Sequence, residues 1–266
     1  MKSRVAISIT LLLIGGVILL TLSSANAVGG ADDSLALYLP LDEANGNKVT
    51  DFSAFNHEAE LRGGAQIVPD GIHGNCVELN GEDGIVYVKD HAAFEGTEAT
   101  IEIWFKTESA ENFPIMWKER TATGGDWWVR IEPPSNQIRC LFRDEADRTL
   151  IVTTQSPYND NEWHHMAATV GDNTARIYID GELDGDTAEA TGQFGTMKST
   201  ESITLGSRFA DAPDTFGLGF LDEARVWSRV LSQEEIQTNM ELDKAQFLVV
   251  SPGGKLSTTW AQVKTR

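Results

Sequence analysis

Beyond its first thirty residues the chain keeps repeating one device, an alternation of apolar and other side chains with a period of two. Leu35, Leu37, Leu39 and Leu41 alternate with Ala36, Tyr38 and Pro40, and Ile101, Ile103 and Phe105 alternate with Glu102, Trp104 and Lys106. Trp127, Val129 and Ile131 alternate with Trp128, Arg130 and Glu132, and Met166, Ala168, Val170, Ile177 and Ile179 continue the series. Successive side chains of a strand point to opposite faces, so each set predicts a strand with one face buried and one free. Turn signals separate the sets: Asn45-Gly46, Asn80-Gly81, Asp83-Gly84, Gly124-Gly125 and Asp180-Gly181. The pattern predicts an all-β chain built as a two-layer antiparallel sandwich.

A single helix is expected. Ser232 is followed three residues later by Glu235, the reciprocal capping pair of a helix start, and Ile236 and Met240 would face inward. This short helix follows a long last strand, LDEARVW. Residues 245–266 differ in kind. Pro252-Gly253-Gly254 marks a turn there, and FLVV and KLSTTW are expected to pair as a small hairpin of unassigned role. The domain itself is expected over 33–244.

The start of the chain bears on its destination. Lys2 and Arg4 precede an almost wholly apolar run over 5–22, and Ser23-Ser24-Ala25-Asn26-Ala27 supplies a small-residue end. That order predicts a secretory signal peptide over 1–27, cleaved after Ala27, and a secreted, extracellular or cell-envelope location. The competing reading is an uncleaved anchor, which would be the chain's one membrane contact.

Charge narrows the partners. The chain carries 21 Lys+Arg against 40 Asp+Glu, a formal net charge of −19; without the leader's two basic residues the balance is −21. Such a surface repels nucleic acid and anionic lipid and leaves neutral glycans and basic proteins open. Solubility alone also accounts for it. Cys76 and Cys140 are the only cysteines. Each falls within an expected strand, so whether they pair stays open.

Several stretches, in order, carry a family resemblance. LALYLPLDEANGNKVTDFSAFNHEAEL, GNCVELNGEDGIVYV, ATIEIWFKT, EWHHMAATV followed by ARIYIDGELDG, and SITLGSRF followed by GFLDEARVWSRVLSQEEI resemble the laminin G-like jelly roll of the concanavalin A-like lectin/glucanase group. The match spans about residues 35–240, with 108–160 similar only in strand character. The resemblance implies two curved antiparallel sheets with the first and last strands adjacent.

Some members of that group cleave polysaccharides. Glycosidases of this architecture place carboxylates at alternate positions of one strand, so that acid, helper and nucleophile share a face. Here the comparable strand offers Glu102, Trp104 and Lys106, which lacks the second and third carboxylates. Asp222 and Glu223 are adjacent and are expected on opposite faces. His164, His165 and Tyr178 are the residues a lyase would need, but they belong to the family's strand pattern. No G-x-S-x-G occurs. No catalytic residue is expected, and a divergent polysaccharide hydrolase or lyase is the alternative.

Asp222 shares strand parity with Ala224 and Val226 and is expected on the core side, where a carboxylate needs a partner. With first and last strands paired, as the resemblance implies, it approaches Asp42 and the loop reaching Asp51. Asp42, Asp51 and Asp222 are therefore the candidate ligands of a structural Ca²⁺. The alternative is an aspartate that caps local backbone amides. For a ligand face, Trp104 and Trp128 stand opposite their strands' aliphatic sets, with Arg130, Arg139 and Arg143 of the same alternate character. Flat rings beside forked donors suit a glycan, and equally a protein partner. Burial of the rings beneath a loop or the tail is the competing reading. The expected function is a secreted non-catalytic binding module for an extracellular carbohydrate or protein. A calcium-stabilised structural or adhesion protein of the cell envelope is the alternative from another class.

Overall fold

The computed structural model describes residues 32–120, 124–210 and 215–250. The expected leader and most of the hairpin 245–266 lie outside these residues. No helix among those described is long and apolar enough to cross a membrane.

Two antiparallel sheets of nine strands each stack face to face. The first runs, in spatial order, through Glu182–Leu183, Thr174–Ile179, His164–Gly171, Ala99–Lys106, Leu218–Trp227, Gly74–Asn80 and Gln66–Gly71. The first strand, Leu35–Leu39, pairs with the closing strand Leu218–Trp227, Leu39 opposite Ala224, as the resemblance implies. The second sheet runs from Thr149–Pro157 through Gln137–Arg143, Asp126–Glu132, Phe113–Lys118, Ile203–Leu205, Ile85–Val88 and Ala59–Arg62 to Lys48–Val49 and Ala44–Asn45.

Alternation builds the core between them. Ile101, Ile103, Phe105 and Leu221 of the first sheet join Val86, Trp127, Val129, Ile131 and Leu205 of the second in one buried apolar cluster. Burying a side chain of this size stabilises by roughly 1.5–3 kcal/mol. At the hairpin after Thr174–Ile179, Asp180 and Gly181 both have left-handed φ, 52° and 78°, the twist a two-residue hairpin needs.

The closing strand breaks its own alternation. A bulge lies between Asp222 and Arg225, and Glu223 takes φ 52°. The extra residue shifts parity by one. Asp222 therefore stands opposite Trp104, away from the core, while Ala224 and Val226 remain in it. This corrects the expected core side for Asp222. A second bulge between Leu35 and Leu37 likewise puts Ala36 in the main core and leaves Leu35 on the outer side.

The capping box at Ser232 forms: its side chain accepts from Glu235 N, and the Glu235 carboxylate returns to Ser232 N over helix Gln233–Met240. A second helix, Lys244–Val250, follows. FLVV is thus helical, not a strand. A four-residue apolar run has no period of its own, and the face waiting for it decides its conformation. Phe247 and Ile236 pack with Leu35, Tyr38, Ala167, Tyr178 and Trp227 on the outer face of the first sheet. Cys76 and Cys140 sit in different sheets, buried and unpaired; burial pushes the Cys76 thiol up to about 12.

Candidate functional site

The two outer faces hold the chemistry, and they differ. On the first sheet, under the two helices, cross-strand register places Tyr38, Arg225, Glu102, Ala167 and Tyr178 in one row. Arg225 is fully buried there, ion-paired with Glu223, and lies over the rings of Tyr38 and Phe247 at 4.7 and 4.6 Å. It also donates to Asn239 O and Leu242 O, which ties helix Gln233–Met240 and the link after it to the sheet. Glu102 accepts from Trp227 Nε1 (2.6 Å) and Asn239 Nδ2 (3.1 Å), and burial holds its pKa above the usual carboxylate range. His165 stands 3.9 Å from Glu102, and burial pushes its pKa down to about 3, with Arg225 adding to the effect. Glu102 and His165, two of the residues on which the hydrolase or lyase alternative rests, are both fully buried.

Trp104 belongs to this sheet. It is 9 % exposed and packs against His165 and, edge-on, His73. Trp128 and the three arginines belong to the other sheet, so the expected ligand residues form two groups rather than one. Trp128 does face outward as its parity requires, yet it is 7 % exposed. Its ring stacks on Trp117, centroids 4.9 Å apart and 8° from parallel. Arg130 lies over the Trp128 ring at 4.7 Å and bonds Glu132, which also holds Arg139. Arg143 pairs with Asp126 at 3.3 Å. The aromatic–arginine patch is present but satisfied internally.

An open concavity begins three strands farther along the same face. The Trp128 row continues in register through Trp117, Thr204, Tyr87 and Glu60 to Lys48 and Asn45. At its far end a groove of about 660 Å³ is lined by Asn45, Lys48, Asn56, Glu58, Glu60, Arg62, Tyr87 and Lys89 among others. Arg62 lies 3.5 Å from the Tyr87 ring centroid and bonds Glu60; Lys89 pairs with Glu58. Cations and anions thus cancel within the groove, and Lys48 and the two asparagines add further polar groups. A smaller pocket of about 170 Å³ opens beside it, between Glu119, Thr204, Arg208 and Phe209. Thr204 of the pocket and Tyr87 of the groove are direct cross-strand partners, so the two concavities adjoin. Sequence reasoning missed Tyr87, Arg62 and Lys48. Tyr87 was readable, because Val86 and Val88 on either side of it are core residues.

The three candidate calcium ligands separate as well. Asp51 is saturated: its oxygens accept from Tyr38 N, Ser53 N, Ser53 Oγ, His57 N and His57 Nδ1, all within 2.7–2.9 Å. It caps the loop. Asp42 and Asp222 flank the turn between Gln66–Gly71 and Gly74–Asn80. Asp222 accepts from Ile72 N, His73 N and Glu223 N, and Asp42 from Asn75 N, with Lys244 Nζ at 3.0 Å. Burial, with Glu223 and Asp42 as neighbouring negative charges, pushes Asp222 up to about 8. The expected trio does not assemble, and the described residues hold no group of three or more His, Cys, Asp or Glu side chains placed for a metal ion.

Comparison with known proteins agrees with this architecture. Murine pappalysin-1 is 23 % identical over 183 residues, which is 62 % of this chain and 11 % of that protein. The binding domain of Paraclostridial Mosquitocidal Protein 1 superposes with TM-score 0.61 at 19 % identity, covering 77 % of this chain and 51 % of that one. The ligand binding domain of botulinum neurotoxin serotype D, solved with N-acetylneuraminic acid, gives TM-score 0.61 at 18 % identity, covering 80 % and 52 %. The chain therefore spans about half of these structures and about a tenth of the curated relative. A laminin G-type family model, described as the concanavalin A-like lectin/glucanases superfamily, matches residues 80–237, more than half of the chain. With that match, and two stacked antiparallel sheets whose first and last strands pair, the chain belongs to the concanavalin A-like lectin/glucanases superfamily.

Proposed function

We propose that this chain is an exported, non-catalytic carbohydrate-binding module that receives a neutral glycan chain across the outer face of the second sheet. The observation that carries the reading is the groove of about 660 Å³ at Lys48 and Tyr87, which continues in register into the pocket at Thr204 and Arg208. Strands lie about 4.8 Å apart, close to the length of one pyranose unit, so the track suits a run of sugars crossing the strands. Its lining pairs acids with bases, which supplies donors and acceptors for hydroxyls without a net charge. Export rests on the basic start, apolar run and small-residue end at 1–27. The sialic acid bound to the neurotoxin domain, and the ganglioside molecules named for a type C neurotoxin, support a glycan as the ligand class.

The reading is tested by calorimetric titration with neutral oligosaccharides of increasing length. Affinity should rise up to about four units and then level off, and Tyr87→Ala should lower it at least about tenfold, roughly 1.4 kcal/mol. Equal, length-independent affinity in both proteins would reject it.

A structural Ca²⁺ on Asp42 and Asp222 is the second part of the proposal, supported by the two carboxylates that bracket the turn over 71–74. Millimolar Ca²⁺ should raise the melting temperature, and Asp222→Asn should abolish the rise. A wild-type melting curve indifferent to Ca²⁺ removes the metal from the reading.

A further inference from the structure

The helices cover only part of the first sheet's outer face. Beyond Trp104 the sheet is open, and a pocket of about 320 Å³ lies there, on the side of the sandwich opposite the groove. Register sets Lys106 and Glu78 on either side of Phe220. The loop before His164–Gly171 brings Trp163 against Phe220, ring centroids 6.4 Å apart at 55°, and Asp70 closes the rim.

Three features make this a built site rather than a surface dent. First, the loop carrying Trp163 is fixed in advance. Asn161 N donates to Thr107 O (2.9 Å) and Tyr158 Oη to Asp184 Oδ2 (2.5 Å), while the His164 ring bridges Asp180 and Asp160 at 2.9 and 3.2 Å. A ligand there does not have to order the loop. Second, polar capacity is left over. The Lys106 ammonium forms no ion pair or hydrogen bond among the described residues. Glu78 uses Oε2 for Gln66 Nε2 (2.7 Å), which leaves Oε1. Third, two aromatic rings, one ammonium and two carboxylates line a space at the lower end of small-ligand pockets, about 300–1,000 Å³. A ring with an apolar C–H face and hydroxyls around its edge meets all of these groups at once.

We infer that the Trp163–Phe220–Lys106–Glu78 pocket is a second site, for a single pyranose, neutral or amino-substituted. The two carboxylates against one ammonium select against an acidic sugar. The site makes the module bivalent, with a track for a chain on one face and a seat for a terminal unit on the other. It stands independently of the groove reading, because the two sites share no residue.

The test is a ¹H–¹⁵N titration of the protein with methyl glucoside, glucosamine and glucuronate. The Trp163 indole N–H is assigned by its disappearance in Trp163→Phe. Methyl glucoside or glucosamine should move that signal with millimolar saturation, and glucuronate should bind at least about tenfold more weakly. Phe220→Ala and the milder Lys106→Met should each weaken the response about tenfold, and Tyr87→Ala should leave it unchanged. An indole signal unmoved by all three sugars, a glucuronate response as strong as the others, or a response indifferent to both Phe220→Ala and Lys106→Met would overturn the site.

Discussion

The two outer faces of this sandwich are made of the same kind of strand and meet opposite fates. On the first sheet the central outward positions are Tyr38, Glu102, Arg225 and Trp227, and the chain covers them with its own two helices. On the second sheet the corresponding row ends in Tyr87, Glu60 and Lys48, and a groove remains open above it. The difference lies in where charge is paired. Arg225 and Glu223 are paired out of water and depend on the surrounding helix carbonyls and rings, so that face contributes to the fold. Arg62–Glu60 and Lys89–Glu58 are paired in or near solvent, where such pairs contribute about 0–1 kcal/mol. That face can exchange partners with a ligand at small cost.

The largest effect should come from breaking the buried pair. Arg225→Met leaves Glu223 buried without its cation and removes the bonds to Asn239 O and Leu242 O; a loss of about 3–5 kcal/mol is expected in denaturant melts. Arg225→Met combined with Glu223→Gln should recover part of it. If the single change costs less than about 1 kcal/mol, the covered face is not the structural one.

Next comes pH. In the folded protein Asp222 is pushed up to about 8, whereas the unfolded chain has the ordinary carboxyl. Between pH 4 and 8 the folded state therefore holds a proton that the unfolded state has released. The stabilisation is complete below the unfolded pKa and is lost as pH rises towards 8. In calcium-free buffer, wild type minus Asp222→Asn should show this as a fall of about 3–4 kcal/mol between pH 5 and 8. A difference that does not change with pH would mean that Asp222 is already ionised at pH 5.

Smaller still, Lys48→Ala on the open face should shift stability by less than about 0.5 kcal/mol, while weakening glycan binding severalfold. A Lys48→Ala protein that melts early and binds normally would reverse the contrast between the faces.

Much of this architecture can be read in the sequence, because a period of two is a local property of each strand. Trp127 in the core and Trp128 outside follow directly from it. The closing strand shows the limit. Nothing local announces that Glu223 takes a left-handed φ, and one extra residue moved Asp222 from the expected core side to the outer face. The ligand residues show another. Parity put Trp104 and Trp128 outward correctly, but which sheet each joins is a matter of long-range pairing. Trp117, eleven residues earlier in the sequence and directly opposite Trp128 on the neighbouring strand, closes one side of its ring, and Glu132 occupies Arg130 and Arg139. The groove was missed because three of its four strands, Ala44–Asn45, Lys48–Val49 and Ala59–Arg62, are too brief to show a pattern alone, and Ile85–Val88, where Tyr87 can be read, does not reveal which strands stand beside it.

The division between a closed face and an open one is tested most directly by hydrogen exchange of the backbone amides, with and without a saturating neutral oligosaccharide. Added protection should fall on Ala59–Arg62, Ile85–Val88 and Ile203–Leu205, while Leu35–Leu39 and helix Gln233–Met240 exchange as before. Protection confined to the helices and the first sheet, with the groove strands unchanged, would contradict it.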